Sequence, residues 1–478
     1  MSGAFDMTLA EVAQAIAAER IGGKPQTLAT GVVTDSRAEV AGALFVALKG
    51  EHFDGHEYLA AVKAAGAVAA IVDRRRVAEL SVIGLPLIAV ADPRRTLGDL
   101  AAVWRKRFAI PLVGVTGSNG KTTTKEMIAA IFAARARRTG LADAAVVATR
   151  GNLNNEIGVP MMLLELTPQT RYAVIEMGMN HPGEIARLAA LAAPTVAVVT
   201  NAQRAHLEGM GSLAAIVAEK ASIFEALSAD GVAIINADDP NAERFARVAG
   251  ARRQLLASLD GSGDVVGRYR PTAAGSTVEI SDVSGTVEIA LPLFGRHNAR
   301  NAVLATAAAL AAGATLSDAA AGLATLRNVG GRLRLRAAKG GARLLDDSYN
   351  ANPDSMRAAI DVLADSPGTR ILVIGDMGEI GPERLALHAE MGAYARASGI
   401  ERLFALGESA RAAVEAFGAA GTHWKTPEDL SAALLPLLDA DTTVLVKGSR
   451  FMRMERVADA LADESSATTQ TKEDARCS

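Results

Sequence analysis

Residues 110–125 read IPLVGVTGSNGKTTTK, and this stretch constrains the fold more than any other in the chain. Leu112, Val113 and Val115 suit a buried parallel strand, glycines then break the apolar run, and residues 122–134 read as a helix. A strand, a glycine-rich loop and a helix N-terminus in that order predict an α/β sheet carrying a phosphate cradle. Gly117 and Gly120 let backbone N–H groups approach a polyphosphate, to which the helix start adds its partial positive charge. Lys121 can reach the outer phosphates, and the Thr122 hydroxyl is placed to ligate Mg²⁺. The spacing departs from the ordinary pattern. A glycine is expected five positions before Gly120, where Val115 stands, and the glycines fall at 114 and 117. A ligand-free glycine turn is the alternative reading, but Gly-Lys-Thr in this context favours ATP.

A chain of 478 residues is too long for one core and predicts about three domains. Residues 1–92 carry their own pattern: a helix opened by a Thr8/Glu11 capping box, then short strands near 31–34, 43–47 and 67–72. Pro86 and Ala91-Asp92-Pro93 mark a boundary. In 93–330, strands at 173–176, 196–200 and 231–236 alternate with helices, which predicts a doubly wound, mostly parallel sheet. Val/Thr/Gly-rich runs over 261–289 predict an antiparallel appendage to it. Gly330-Gly331 punctuates a second boundary. Beyond it, over 331–464, strand candidates at 344–347, 371–375, 403–406 and 444–446 predict a smaller Rossmann-like α/β domain. Residues 465–478 are polar and charged, as in a disordered tail.

Composition narrows the function. A net charge of −3, with no basic run beyond clusters such as Arg74–Arg76, argues against a nucleic-acid binder. The single cysteine, Cys477, rules out a disulfide within the chain and any cysteine-based metal site, and fits a reducing cytoplasm. Asp6, Glu11 and Glu19 interrupt any apolar signal region. The apolar stretches 302–312 and 188–199 fall short of the roughly 20 residues of a membrane span.

Polar residues past the strand ends carry the remaining chemistry. Glu176 ends AVIEMG, where a carboxylate can hold Mg²⁺ or simply be solvated. His206 follows in the loop after Thr200-Asn201, as a cation or phosphate contact or as a hydrogen-bonded loop histidine. Lys220 lies on a helix, where a surface charge is the ordinary reading; a carbamate formed with CO₂ would instead make it an anionic metal ligand. His297, Asn298 and Asn301, in GRHNARNAV, fall at the first turn of an apolar helix. They can match an adenine edge, or Asn298 can cap the helix. Arg332 sits at the second boundary, placed to swing onto a γ-phosphate. The segment 346–353, DDSYNANP, follows a strand, and an aspartate there can accept from ribose hydroxyls or end the strand in an Asx turn.

The segments TGSNGKTTTKEM, RGNLNNEIGVP, EMGMNHPGEI, NAQRAHLEGMGS, GRHNARNAV, GGRLRL, LLDDSYNANPDSM and VKGSR resemble, in this order, the motifs of the Mur ligases. TDSRAEVAGALFVALKGEHFDGHEY is similar to the family's uridine-nucleotide-binding domain. The displaced glycine is itself the family's pattern. The resemblance covers nearly the whole chain and implies a three-domain, ATP- and Mg²⁺-dependent acid–D-amino-acid (peptide) ligase of peptidoglycan synthesis. More narrowly it implies the branch whose substrates are UDP-MurNAc-tripeptide and D-alanyl-D-alanine, acting as a cytoplasmic monomer. It further implies that Gly117, Ser118, Asn119, Gly120, Lys121, Thr122 and Thr123 bind ATP, with Thr122, Glu176, His206 and Lys220 at the metal. His297, Asn298 and Asn301 would take the adenine, Arg332 the γ-phosphate and Asp347 the ribose or a domain contact. Asp35, Ser36, Arg37, Lys49 and Gly50 match the uridine region. Asn154 and Asn155 lie along the muramoyl-peptide path, and Lys447 belongs to a segment holding the dipeptide. A sister ligase adding the third residue would carry a His after the Asp347 strand and a downstream Asp-Asn-Pro-Arg; this chain has Tyr349-Asn350 and no such tetrapeptide. Folylpolyglutamate synthetases lack the N-terminal domain. A non-catalytic regulator of the same fold would not need Lys121, Thr122, Glu176, His206 and Lys220 together.

Overall fold

The computed structural model describes residues 5–326 and 331–463. Gly330, Cys477 and the polar tail from 465 lie outside them.

The strand Leu112–Thr116 is buried at every position and pairs in parallel with Tyr172–Glu176 on one side and Val196–Val199 on the other. A central parallel strand is covered on both faces, which is why its sequence is a continuous apolar run. Val113 and Val115 face the layer containing the helices Lys121–Arg138 and Arg296–Ala311, while Leu112 faces the opposite core. Nine strands make up this sheet. Six run parallel from Val146–Ala148 to Arg253–Leu259. Val265–Thr272 continues the parallel set, and Gly275–Asp282 and Gly285–Leu291 close it as an antiparallel meander. The appendage expected at 261–289 is this meander.

N-terminal to it stands a five-stranded sheet, parallel except for its edge strand Glu19–Ile21. The helix Leu9–Ala15 beside it starts from the expected Thr8/Glu11 capping box. The helix Pro93–Arg105, capped by Asp92, ties this unit to the central one: Trp104 packs on Phe5 with ring centroids 4.9 Å apart and donates its indole N–H to Leu166 O. The C-terminal sheet has six strands, parallel except for Arg334–Ala337 at one edge, with apolar cores on both faces. Its strands Arg343–Asp347, Thr369–Gly375, Arg402–Leu406 and Thr442–Lys447 cover the four expected positions. The carboxyl ends of the central sheet and of the C-terminal sheet both open onto one cleft of about 1180 Å³.

Candidate active site

The phosphate loop is shaped from outside. Gly117 has φ +151°, and a Cβ there would stand 1.8 Å from Thr200 Oγ1. Gly120, the N-cap of the helix Lys121–Arg138, has φ +81°, and a Cβ would stand 2.7 Å from Asn301 Oδ1. Only glycine meets both demands. Ser118 N donates to Asn201 O at 3.0 Å, Asn119 N donates to Asn201 Oδ1 at 2.9 Å, and Thr200 Oγ1 donates to Asn119 O at 2.6 Å. The Lys121 ammonium folds back onto Gly117 O at 2.9 Å and Ser118 O at 3.3 Å. Burial lowers its pKa, Glu176 pulls the other way and the Arg332 charge adds to the fall.

Glu176 is 2 % exposed at its strand's end. Asn154 Nδ2 donates to its Oε1 at 2.8 Å, while Oε2 is buried with no hydrogen-bond partner. A buried carboxylate oxygen left unpaired is costly, and a bound cation is one way to satisfy it. Among the described residues no group of three His, Cys, Asp or Glu side chains could hold a metal. The unpaired Glu176 Oε2 is an oxygen donor that fits a hard cation keeping waters and phosphate oxygens around one or two protein oxygens, as Mg²⁺ does. Asn155 lines the same wall, its Oδ1 accepting from Ile157 N and Gly158 N.

Lys220 is 1 % exposed at the end of the helix Leu213–Ala221, with no hydrogen-bond or ion-pair partner among the described residues. Burial depresses its pKa strongly, the Lys121 charge deepens the shift and Glu219 opposes it. This is far from a surface charge. It does not line the cleft itself. His206 holds a left-handed backbone (φ +57°) and places Nδ1 2.6 Å from Glu379 Oε2 of the C-terminal unit.

At the other end, His297 is half-buried near Lys447 and Arg300, and desolvation chiefly pushes its pKa down to about 4. Gly295 is the N-cap of this helix rather than Asn298, whose Nδ2 donates to Phe294 O at 2.9 Å. Asn301 lies in the second turn, not the first, because the helix begins at Arg296. Burial raises the pKa of Asp347, against the pull of Lys447, whose Nζ sits 2.5 Å from its Oδ2. Asp347 Oδ1 accepts from Leu333 N at 3.1 Å. The Asx turn after the strand is made by Asp346, through Ser348 N. Arg332 stacks on Tyr349, Cζ 4.4 Å from the ring centroid, and its Nε is buried without a partner.

The cleft thus gathers Ser118, Asn119, Gly120, Lys121, Thr122, Thr123, Asn154, Asn155, Glu176, His206, His297, Asn298, Asn301, Arg332, Asp347 and Lys447. The uridine-region residues lie elsewhere. Asp35 and Arg37 pair with each other at 2.7 Å on the exposed surface, Ser36 between them. Gly50 N closes a turn onto Phe53 O. Lys49 lines a second cavity, of about 580 Å³, with Asp54, His56 and Asp73. Arg94 links the two regions, donating to Lys49 O at 2.9 Å and pairing with Glu156, a cleft residue, at 2.7 Å.

Sequence reasoning missed the residues that dock the C-terminal unit. Arg204 donates to both carboxylate oxygens of Asp354 and pairs with Glu390 at 2.9 Å. Asn352 meets Asn119, and Glu379 meets His206. The motif segments contained Asn352 and Arg204, but only the folded chain shows what they touch.

The sequence matches three family descriptions: "Mur ligase family, catalytic domain" over residues 29–105, "Mur ligase middle domain" over 115–309, and "Mur ligase, glutamate ligase domain" over 331–450. It is 43% identical to a UDP-N-acetylmuramoyl-tripeptide--D-alanyl-D-alanine ligase of Escherichia coli over 436 residues, covering 90% of this chain and 93% of that protein. A ligase of the same name from Haemophilus influenzae is 39% identical, with 96% and 99% covered. Among solved structures, MurF from Acinetobacter baumannii superposes with a TM-score of 0.87 at 36% identity, covering 95% of this chain and 98% of that one. MurF from Thermotoga maritima, in complex with ADP, gives 0.78 at 28% identity, with 90% and 96% covered.

Proposed function

The chain belongs to the Mur ligase family, and from that membership and the cleft we propose that it uses ATP to join D-alanyl-D-alanine to the terminal carboxylate of UDP-MurNAc-tripeptide. The supporting observation is the convergence, on one cleft, of a phosphate loop, an unpaired strand-end carboxylate and an arginine with an unpaired buried N–H.

The peptide carboxylate attacks the γ-phosphorus of ATP and displaces ADP, which leaves an acyl phosphate on the peptide. The loop N–H groups, Lys121 and Arg332 hold the phosphates and stabilise charge as it moves onto ADP. The amine of the dipeptide then attacks the acyl carbon, and phosphate leaves from a tetrahedral intermediate. Thr122 and Glu176 are the residues that would hold Mg²⁺, with His206 nearby; the ion would neutralise phosphate charge. Lys220, its amine driven toward the neutral form by burial, is suited to carbamate formation. Asn298, Asn301 and His297 border the base, and Asp347 the ribose. Positioning of this kind can supply on the order of 10 kcal/mol of barrier lowering. The acyl phosphate must be kept from water, a task for the C-terminal unit, whose residues form one wall of the cleft.

Residues 1–92, with Asp35, Ser36, Arg37, Lys49 and Gly50, are the unit assigned to the uridine nucleotide, 93–330 to ATP and 331–464 to the acceptor side. Asn154 and Asn155 lie between the first two. Among the described residues no helix is long and apolar enough to cross a membrane, consistent with a cytoplasmic enzyme.

Phosphate release by the purified protein with ATP, UDP-MurNAc-tripeptide and D-alanyl-D-alanine tests the reading. Release that requires the dipeptide supports it. Release driven by a single amino acid such as diaminopimelate, and not by the dipeptide, would overturn it.

A further inference from the structure

His388 is fully buried in the helix Arg384–Ala397, lies off the cleft, and belongs to none of the motif segments. Its two ring nitrogens have opposite duties. Nδ1 stands 2.6 Å from the carbonyl oxygen of Arg384, which can only accept, so Nδ1 carries the proton. Nε2 accepts the N–H of Met377 at 2.9 Å, so it carries none. The ring is neutral, in one tautomer. An aliphatic side chain in its place would leave the Met377 N–H buried and unpaired.

Met377 belongs to the loop 376–379, which follows the strand Thr369–Gly375. Gly378 N donates to Ser449 Oγ at 2.7 Å, Ser449 N donates to Asp376 O at 3.1 Å, and Ala410 N donates to Asp376 Oδ1 at 2.8 Å. The loop ends on Glu379, whose φ of +58° is a left-handed conformation that a glutamate keeps only where its surroundings hold it. Glu379 reaches the central unit: its Oε2 stands 2.6 Å from His206 Nδ1, and its carbonyl accepts from Glu208 N at 3.3 Å. Gly378 and Glu379 both line the cleft. We propose that His388 is a positioning residue for the ligation: by accepting the Met377 N–H it fixes the loop that presents Glu379 to His206 and Glu208, and so sets how the C-terminal unit seats on the central one. The kinetic half of its test rests on the ligase reading above, whereas the exchange half does not.

The test compares, on the full chain, His388→Leu, which cannot accept, with His388→Gln, whose side-chain oxygen can take the place of Nε2. In hydrogen–deuterium exchange, His388→Leu speeds the amides of 376–379 and also those of 206–211 across the cleft by about fivefold or more, while His388→Gln leaves both near wild type. A role confined to packing within the C-terminal unit would leave 206–211 unchanged. Glu379→Ala, a change on the loop surface, must by itself speed exchange at 206–211, and this holds even if His388→Leu does not fold. In phosphate-release kinetics His388→Leu lowers kcat about tenfold, the scale of one buried hydrogen bond, and His388→Gln returns it to within about threefold of wild type. The double variant His388→Leu/Glu379→Ala falls no more than about twofold below the worse single one, because both cut the same link. Unchanged exchange at 206–211 in either single variant, equal impairment of the Leu and Gln variants, or kcat losses that multiply overturns the positioning role while the ligase reading stands. A wild-type enzyme without dipeptide-dependent turnover overturns the ligase reading, and the exchange result alone then decides whether His388 seats the loop.

Discussion

Asn119 in the phosphate loop and Asn352 at the start of a C-terminal helix hold each other through both ends of their amides. Asn352 Nδ2 donates to Asn119 Oδ1 at 2.7 Å, and Asn119 Nδ2 donates to Asn352 Oδ1 at 3.2 Å. Asn352 Oδ1 also accepts from Ser355 N as the N-cap of the helix Pro353–Ala364. One side chain thus starts a helix and touches the nucleotide cradle.

Asn352→Asp separates those two roles. A carboxylate caps as well as an amide but cannot donate to Asn119. The melting temperature is expected to hold while kcat falls about five- to tenfold, the scale of one hydrogen bond. Scanning calorimetry beside phosphate-release kinetics decides it; unchanged kcat would show that the contact is incidental.

Gly120→Ala meets both the left-handed backbone and the Asn301 side chain. The backbone alone costs about 1–2 kcal/mol. Displacement of Asn301 adds a loss specific to nucleotide binding. ADP affinity measured calorimetrically should drop at least about tenfold, more than the stability loss alone accounts for. Near-normal affinity would mean that the loop tolerates the side chain.

Asp318, 1 % exposed, accepts from Arg138, Arg135 and Thr315 and so fastens the helix Leu316–Leu323 to Lys121–Arg138. Burial alone would raise its pKa, but the bonds from Arg138, Thr315 and Arg135 outweigh that and hold the carboxyl well below the usual range. A depressed folded pKa contributes stability that is complete above the unfolded value of about 4 and is lost as pH falls below it. Asp318→Asn should cost about 2–4 kcal/mol at neutral pH. Urea melts from pH 7 to pH 3 should show the gap to wild type narrowing only below about pH 4. A gap already gone at pH 6 would refute the assignment.

Lys220→Met replaces a buried amine by an apolar chain of similar length. With its folded pKa lowered, the lysine costs stability at neutral pH, and the cost fades as pH rises toward the unfolded value of about 10.4. In CO₂-free buffer the variant should melt higher at pH 7, with the difference shrinking by pH 10, while turnover is nearly abolished. Retained turnover would remove Lys220 from the mechanism.

The segments most legible in the sequence were those that local chemistry decides. Leu112–Thr116 announced itself because a strand buried on both faces must be apolar throughout, and the loop after it because two glycines are sterically compelled. Edge strands such as Val146–Ala148, Arg334–Ala337 and Gly421–Trp424 left no such trace: each is short and half-exposed, so nothing forces its composition. The burial of Lys220 was hidden for another reason. A lysine on an apolar helix reads as a surface charge until the packing around it is known. Arg204 and Asp354 are 150 residues apart, and no local pattern could have paired them.

Residues 200–206 touch the nucleotide cradle with one end and the C-terminal unit with the other: Thr200 and Asn201 shape the loop, and Arg204 and His206 grip Asp354 and Glu379. Two binding events that share such a strap are thermodynamically reciprocal. Whatever draws the C-terminal unit in tightens the hold on nucleotide by the same factor, and whatever wedges it away loosens that hold. An inhibitor lodged between Arg204 and Asp354 would therefore weaken nucleotide retention without resembling a nucleotide, and saturating ATP would blunt it only by that shared factor.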